Sequence, residues 1–158
     1  MTGLPFPAVR ATSGAPEGLP GLPDQFGRVA QDLRVSVTDR CNLRCRYCMP
    51  AEGLPWLPKP EMLTDDELVR IVAVFVGLGV RQVRLTGGEP LLRRSLVEVV
   101  RRIAALEPRP RIAMTTNGVG LDRLAQPLAD AGLDRVNVSL DTVDPREFAD
   151  LTRRDRLA

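Results

Sequence analysis

The chain has 158 residues, 44% of them hydrophobic and 27% charged, and a net charge of +2. That length allows one domain with a real core but is short for a closed α/β barrel. The small charge gives no ground for a nucleic-acid surface, and no apolar run reaches the length of a membrane span. The amino terminus lacks a charged region followed by an apolar core, and the three cysteines have no others to pair with, which favours a reducing compartment. The expected location is cytoplasmic, with neither nucleic acid nor membrane as a partner.

In chain order, residues 1–27 are rich in proline and glycine and read as a flexible arm. Leu19-Pro-Gly-Leu-Pro23 is the clearest stretch of it. The domain is expected over 28–158. Strand character is found at about 33–38, 82–86, 111–115 and 135–140. Between the first two strands, Thr64-Asp-Asp-Glu67 forms a capping box for a helix carrying Leu68, Ile71, Val72, Phe75 and Val76, with Gly79 as its stop. Ser95-Leu-Val-Glu98 opens a second helix with Leu96, Val99, Val100 and Ile103 on one face. A third runs roughly over 121–131 and ends at Gly132. A fourth begins at Asp144-Pro145, with proline in the first turn. Such strand–helix alternation predicts parallel βα units.

The strands alternate. Val35 and Val37 oppose Arg34, Ser36 and Thr38; Val83 and Leu85 oppose Gln82, Arg84 and Thr86; Val136, Val138 and Leu140 oppose Asn137, Ser139 and Asp141. With side chains pointing to alternate faces, one sheet face is apolar and the other polar. An open doubly wound sheet would be apolar on both. The expected fold is therefore α/β, a partial (βα) barrel of about four parallel strands. Its helices pack outside and its polar bowl lies inside. The third strand departs from this, because Ile112, Ala113 and Met114 run together.

All three cysteines lie in Cys41-Asn42-Leu43-Arg44-Cys45-Arg46-Tyr47-Cys48, spaced C-x3-C-x2-C. Thiolates favour zinc, copper(I) or iron–sulfur clusters. The chain has no histidine, so a Cys3His zinc site is not available. A 4Fe–4S cluster normally takes four cysteines, so three would leave one iron open to a substrate or cofactor. An incidental reduced group and an incomplete zinc knuckle remain as alternatives.

The other polar motifs fall, like the cysteine loop, at the carboxyl ends of strands, where βα barrels gather their chemistry. They are Gly87-Gly88-Glu89-Pro90, Thr116-Asn117-Gly118, and Ser139 with Asp141. Gly87-Gly88 either turns the chain or admits a ligand to the backbone. Arg34 and Arg84 share the polar face, and each needs an anion, since unpaired buried charge is expensive. That anion is a carboxylate such as Asp39, Glu89 or Asp141, or a ligand phosphate. Arg93 and Arg94 are expected in solvent.

C-x3-C-x2-C with Tyr47 before the last cysteine resembles the signature of the radical S-adenosylmethionine enzymes. The longer stretch 32–50, together with Thr86-Gly-Gly-Glu-Pro-Leu-Leu-Arg93, Thr115-Thr-Asn-Gly118 and Val136-Asn-Val-Ser-Leu-Asp141, is similar to the GTP 3′,8-cyclase family of molybdenum cofactor (molybdopterin) biosynthesis. The resemblance covers roughly residues 27–158. It implies that Cys41, Cys45 and Cys48 hold a 4Fe–4S cluster whose open iron is chelated by S-adenosylmethionine. It further implies Tyr47, Gly88 and Ser139 as contacts to S-adenosylmethionine, and Arg34, Arg84 and Thr115 as contacts to GTP.

The implied reaction, a lyase activity, converts GTP to 3′,8-cyclo-7,8-dihydro-GTP through a 5′-deoxyadenosyl radical. It needs an electron-donor protein and no acid–base side chain. In that family a full chain has further βα units and a second cysteine-held cluster near the carboxyl end. Here no cysteine follows Cys48, so the chain is expected to be incomplete and to need the missing half or a partner chain. Two other readings are a radical S-adenosylmethionine enzyme acting on another substrate and a non-catalytic iron–sulfur module.

Overall fold

A computed structural model describes residues 21–157. It opens with a hairpin in which β1 (Leu22–Pro23) pairs antiparallel with β2 (Val29–Ala30). The Asp24 carboxylate accepts the backbone N–H groups of Phe26 and Arg28, and Gly27 turns at φ +76°. The segment expected to be a flexible arm therefore carries regular structure from Leu22 onward, because one aspartate satisfies the turn. Residues 1–20 lie outside the described residues.

The main sheet contains β3 (Asp32–Ser36), β4 (Gln82–Thr86), β5 (Arg111–Thr116) and β6 (Arg135–Val138), in that spatial order. Every neighbouring pair is parallel. The strands alternate with α1 (Asp65–Gly77), α2 (Leu96–Ala104), α3 (Leu121–Asp130) and α4 (Pro145–Thr152), with the expected helix following each strand. The capping box is complete: Glu67 N–H donates to Thr64 Oγ1 and Thr64 N–H to Glu67 Oε2. Gly79 leaves the helix end at φ +99°. Asp144 caps α4 by accepting from the N–H groups of Arg146 and Glu147. Ser95 precedes α2 without capping it, since its hydroxyl donates to Asp65 Oδ1 at 2.8 Å instead.

The core lies on one side of the sheet. Val83 and Leu85 from β4 and Ile112 and Met114 from β5 meet Leu68, Val72 and Val76 of α1, four residues of α2, and Leu128 of α3. Each fully buried aliphatic side chain contributes roughly 1.5–3 kcal/mol. The unbroken apolar run on β5 is now explained: Ile112 and Met114 face the helices, while Ala113 faces the other way, packed beside Arg84 and Arg135 in register.

At β6 the expectation that helices cover the apolar face fails. Val136, Val138 and Leu140 are exposed. The next helix, α4, packs its carboxyl end against the cysteine loop, where Arg44 and Arg46 N–H donate to the carbonyls of Thr152 and Leu151. Among the described residues β6 has no strand on its outer side, so it forms an open edge.

Candidate functional site

The cysteine loop leaves the carboxyl end of β3 and is held from several directions. Leu43 and Met49 are buried and anchor it to the domain. Cys48 and Met49 N–H both donate to the Cys45 carbonyl, which winds the last cysteine back toward the second. Arg44 Nη1 donates to the carbonyls of Cys41 and Leu43, and its guanidinium stacks over Trp56. From the far side Arg153 Nη1 donates to the carbonyls of Arg44 and Met49 at 3.1 Å.

All three cysteines are free thiols; Cys41 and Cys45 are half-buried and Cys48 is exposed. Burial raises the Cys45 pKa; a hydrogen bond with Tyr47 works against this, and the charges of Cys41 and Cys48 add to the rise. Among the described residues no group of three or more Cys, Asp or Glu side chains converges on one metal position. A cluster accepts each thiolate on a separate iron, and a set of soft thiolates without histidine fits it.

The Gly-Gly-Glu-Pro turn after β4 docks on the start of this loop. Gly88 N–H donates to the Thr38 carbonyl at 2.8 Å and Glu89 N–H to the Arg40 carbonyl at 2.7 Å. A Cβ on Gly87 would lie 2.2 Å from the Thr38 oxygen, and one on Gly88 2.2 Å from the Arg40 oxygen. The two glycines therefore serve a backbone-to-backbone approach between two loops, a role beyond the turn or ligand contact expected of them.

Glu89 is only 1% exposed. Its carboxylate accepts from Thr116 Oγ1, Asn117 N–H and Leu91 N–H, which ties the second loop to the third. Asn117 Nδ2 in turn donates to Asn42 Oδ1 inside the cysteine loop. Ser139 N–H donates to the Thr116 carbonyl, placing the Ser139 backbone next to the end of β5. The Tyr47 hydroxyl donates to Asp141 Oδ2 at 2.6 Å and so closes the circuit from β6 back to the cysteines. That bond, with burial second, holds the Tyr47 phenol well above its ordinary pKa. The Tyr47 side chain is otherwise 70% exposed, not packed into the loop.

Arg34 and Arg84 are directly opposite each other across β3 and β4. The carboxylates that might neutralise them are engaged elsewhere: Asp39 with Leu57 N–H, Glu89 with Thr116, and Asp141 with Tyr47. Neither arginine makes an ion pair among the described residues. Internal pairing therefore does not account for them. One rung along, Ser36 lies beside Thr86, and Thr115 beside Asn137. A cleft of about 550 Å³ is lined by Arg34, Ser36, Thr38, Thr86, Gly87 and Gly88, among others. A slightly larger one of about 640 Å³ lies at the opposite, amino ends of the strands and contains none of the motif residues.

Arg93 differs from expectation. Its side chain is 12% exposed and pairs with Asp65, and Nη1 donates to the Val37 carbonyl at 2.6 Å. It is a strut between α1, α2 and the end of β3, made possible because Pro90–Leu92 form a short 3-10 turn that aims it inward. Three partners escaped the sequence reading: Asn42, Asp141 as the acceptor of Tyr47, and Arg153. Asn42 and Asp141 lie within or at the end of recognised motifs, but the contacts span 75 and 94 residues. No local pattern encodes those.

An open parallel sheet whose carboxyl ends bring a three-cysteine loop, a Gly-Gly-Glu-Pro turn and a polar rim together defines a class of cluster-binding α/β enzymes. A family model described as the Radical SAM superfamily matches residues 35–158, and the chain belongs to that superfamily. The family uses a 4Fe–4S cluster and S-adenosylmethionine.

The chain is 64% identical over 145 residues to the GTP 3′,8-cyclase of Streptomyces coelicolor, covering 91% of this chain and 42% of that protein. It is 59% identical over 165 residues to GTP 3′,8-cyclase 2 of Mycobacterium tuberculosis H37Rv, covering 100% and 46%. It thus spans less than half the length of these curated relatives. Streptococcus suis SuiB, solved bound to S-adenosylmethionine, shares the fold at a TM-score of 0.63 and 20% identity, over 80% of this chain and 27% of that one. No helix among the described residues is long and apolar enough to cross a membrane.

Proposed function

We propose that the chain corresponds to the amino-terminal, cofactor-binding part of a GTP 3′,8-cyclase, active in the cytoplasm in the first step of molybdenum cofactor biosynthesis. The observation that carries this reading is the interlocking of the four strand-end loops beside two arginines that have no counterion among the described residues. Cys41, Cys45 and Cys48 would hold the 4Fe–4S cluster, leaving one iron without a protein ligand. When bound, the cluster and S-adenosylmethionine supply the radical chemistry.

The chain's own residues bind, orient and shield. The Gly88 N–H is committed to Thr38, so what it offers an amino group is its carbonyl oxygen, an acceptor. Ser139 offers a hydroxyl, and Tyr47, steadied by Asp141, offers a ring face. Arg34 and Arg84 bind the GTP phosphates, with fixed charge and forked donors suited to that task. Thr115 adds a hydroxyl on the same polar face. An electron-donor protein and a further segment or partner chain against the open β6 edge complete the assembly.

The test is anaerobic reconstitution with iron and sulfide, followed by spin-resonance spectroscopy and GTP binding. The expected results are a cluster lost on Cys41→Ser, Cys45→Ser or Cys48→Ser and a reduced signal altered by S-adenosylmethionine. GTP binding should weaken in Arg34→Ala and Arg84→Ala. A signal indifferent to S-adenosylmethionine would leave only an iron–sulfur module; GTP binding unchanged in both arginine variants would point to another substrate.

A further inference from the structure

The strand register extends the arginine pair into a row. Arg34 is opposite Arg84, Arg84 opposite Ala113, and Ala113 opposite Arg135. Paired positions on adjacent parallel strands project to the same face. The three arginines therefore stand on one rung of the polar face, interrupted only by a side chain that is a single methyl. Arg135 makes no ion pair among the described residues. Its Nε donates to Asn137 Oδ1 at 2.9 Å, which steadies the side chain on the strand and leaves the two terminal nitrogens uncommitted among the described residues.

Like charges opposite one another on adjacent strands destabilise a sheet. Three guanidiniums on one rung without a carboxylate make sense as a receptor for an extended anion. Ala113 is 5% exposed and adds only a methyl between Arg84 and Arg135, so no bulky side chain separates their guanidiniums.

We propose that Arg135 is a third phosphate-binding residue, acting with Arg34 and Arg84 on one polyphosphate chain. This rests on the nucleotide reading above and adds to it a residue on the opposite side of the bowl. The geometry favours a triphosphate over a monophosphate, because the row spans all four strands while a single phosphate reaches one neighbouring pair.

The probe is inorganic tripolyphosphate, titrated calorimetrically into the intact chain, with orthophosphate as the short comparison. Wild-type chain should bind tripolyphosphate far more tightly than orthophosphate. Arg34→Ala, Arg84→Ala and Arg135→Ala should each weaken tripolyphosphate roughly tenfold, the size of one lost charged hydrogen-bonding contact. Arg135→Lys should recover part of the loss, since it restores charge without the fork. Arg123→Ala on the outer face of α3 should change nothing. Arg135 is exposed on an edge strand, so Arg135→Gln serves as a second, milder variant if the alanine form unfolds.

If Arg135→Ala and Arg135→Gln bind as wild type while Arg34→Ala and Arg84→Ala do not, the third contact is wrong and the nucleotide reading stands. If wild-type chain shows no preference for tripolyphosphate, both fall.

Discussion

The Glu89 carboxylate accepts the Thr116 hydroxyl at 2.7 Å across two neighbouring strand ends, with Glu89 1% and Thr116 2% exposed. This contact, together with the N–H groups of Asn117 and Leu91, makes the second loop a rigid platform for the third. Removing the carboxylate leaves three donors without their acceptor, the Thr116 hydroxyl among them fully buried. Glu89→Ala should therefore lower unfolding free energy by about 3 kcal/mol or more, measured by denaturant titration. A loss under 1 kcal/mol would mean that water replaces the carboxylate and the site is looser than described.

Gly88→Ala should prevent cluster assembly while sparing most of the fold. Its Cβ meets backbone oxygen at 2.2 Å, and backbone cannot swing aside as a side chain can. The Gly-Gly-Glu-Pro turn would lift off the cysteine loop. Iron content after anaerobic reconstitution should fall to background while the circular dichroism spectrum stays close to wild type.

Asp65 gives a pH dependence with a definite sign. Burial pushes its pKa up, but hydrogen bonds from Arg93 and Ser95 and the charge of Arg93 outweigh that, and the net result is lowered. A carboxylate whose folded pKa lies below its unfolded value stabilises the protein fully above the unfolded value, about 4. That contribution is lost as pH falls through the folded value. Thermal unfolding followed from pH 7 downward should show a drop in Tm below about pH 4 that is smaller in Asp65→Asn. An identical acid limb in the variant would remove Asp65 from the account.

Thr64→Ala removes one half of the capping box and should cost about 1 kcal/mol, read by the same denaturant titration. Thr64→Ser should recover most of it, because the serine hydroxyl can accept from Glu67 N–H in the same way.

The open edge at β6 predicts self-association. Val138, at the end of a strand with unpaired backbone groups along its outer side, is 53% exposed, and Val143 in the loop that follows is 80% exposed. Val138→Lys should lower light scattering at high protein concentration without changing secondary structure. No change would mean that the edge is not the sticky surface.

What the residues determine alone is local and periodic. Two-residue alternation at 82–86 and 135–140 assigned the polar face; Thr64 with Glu67 and Asp144 with Pro145 assigned helix starts; and C-x3-C-x2-C assigned the ligand chemistry. These rest on neighbours a few positions apart, so short-range sterics and hydrogen bonding suffice to specify them. Tertiary structure alone decided what the polar groups bind. Asp39, Glu89 and Asp141 were open partners for Arg34 and Arg84 until folding committed each to another donor. Arg93 passed from the surface to a strut, and Arg135 joined a row that only strand register reveals. Those outcomes depend on which chain segments come together, and sequence periodicity carries no information about distances across 75 or more residues.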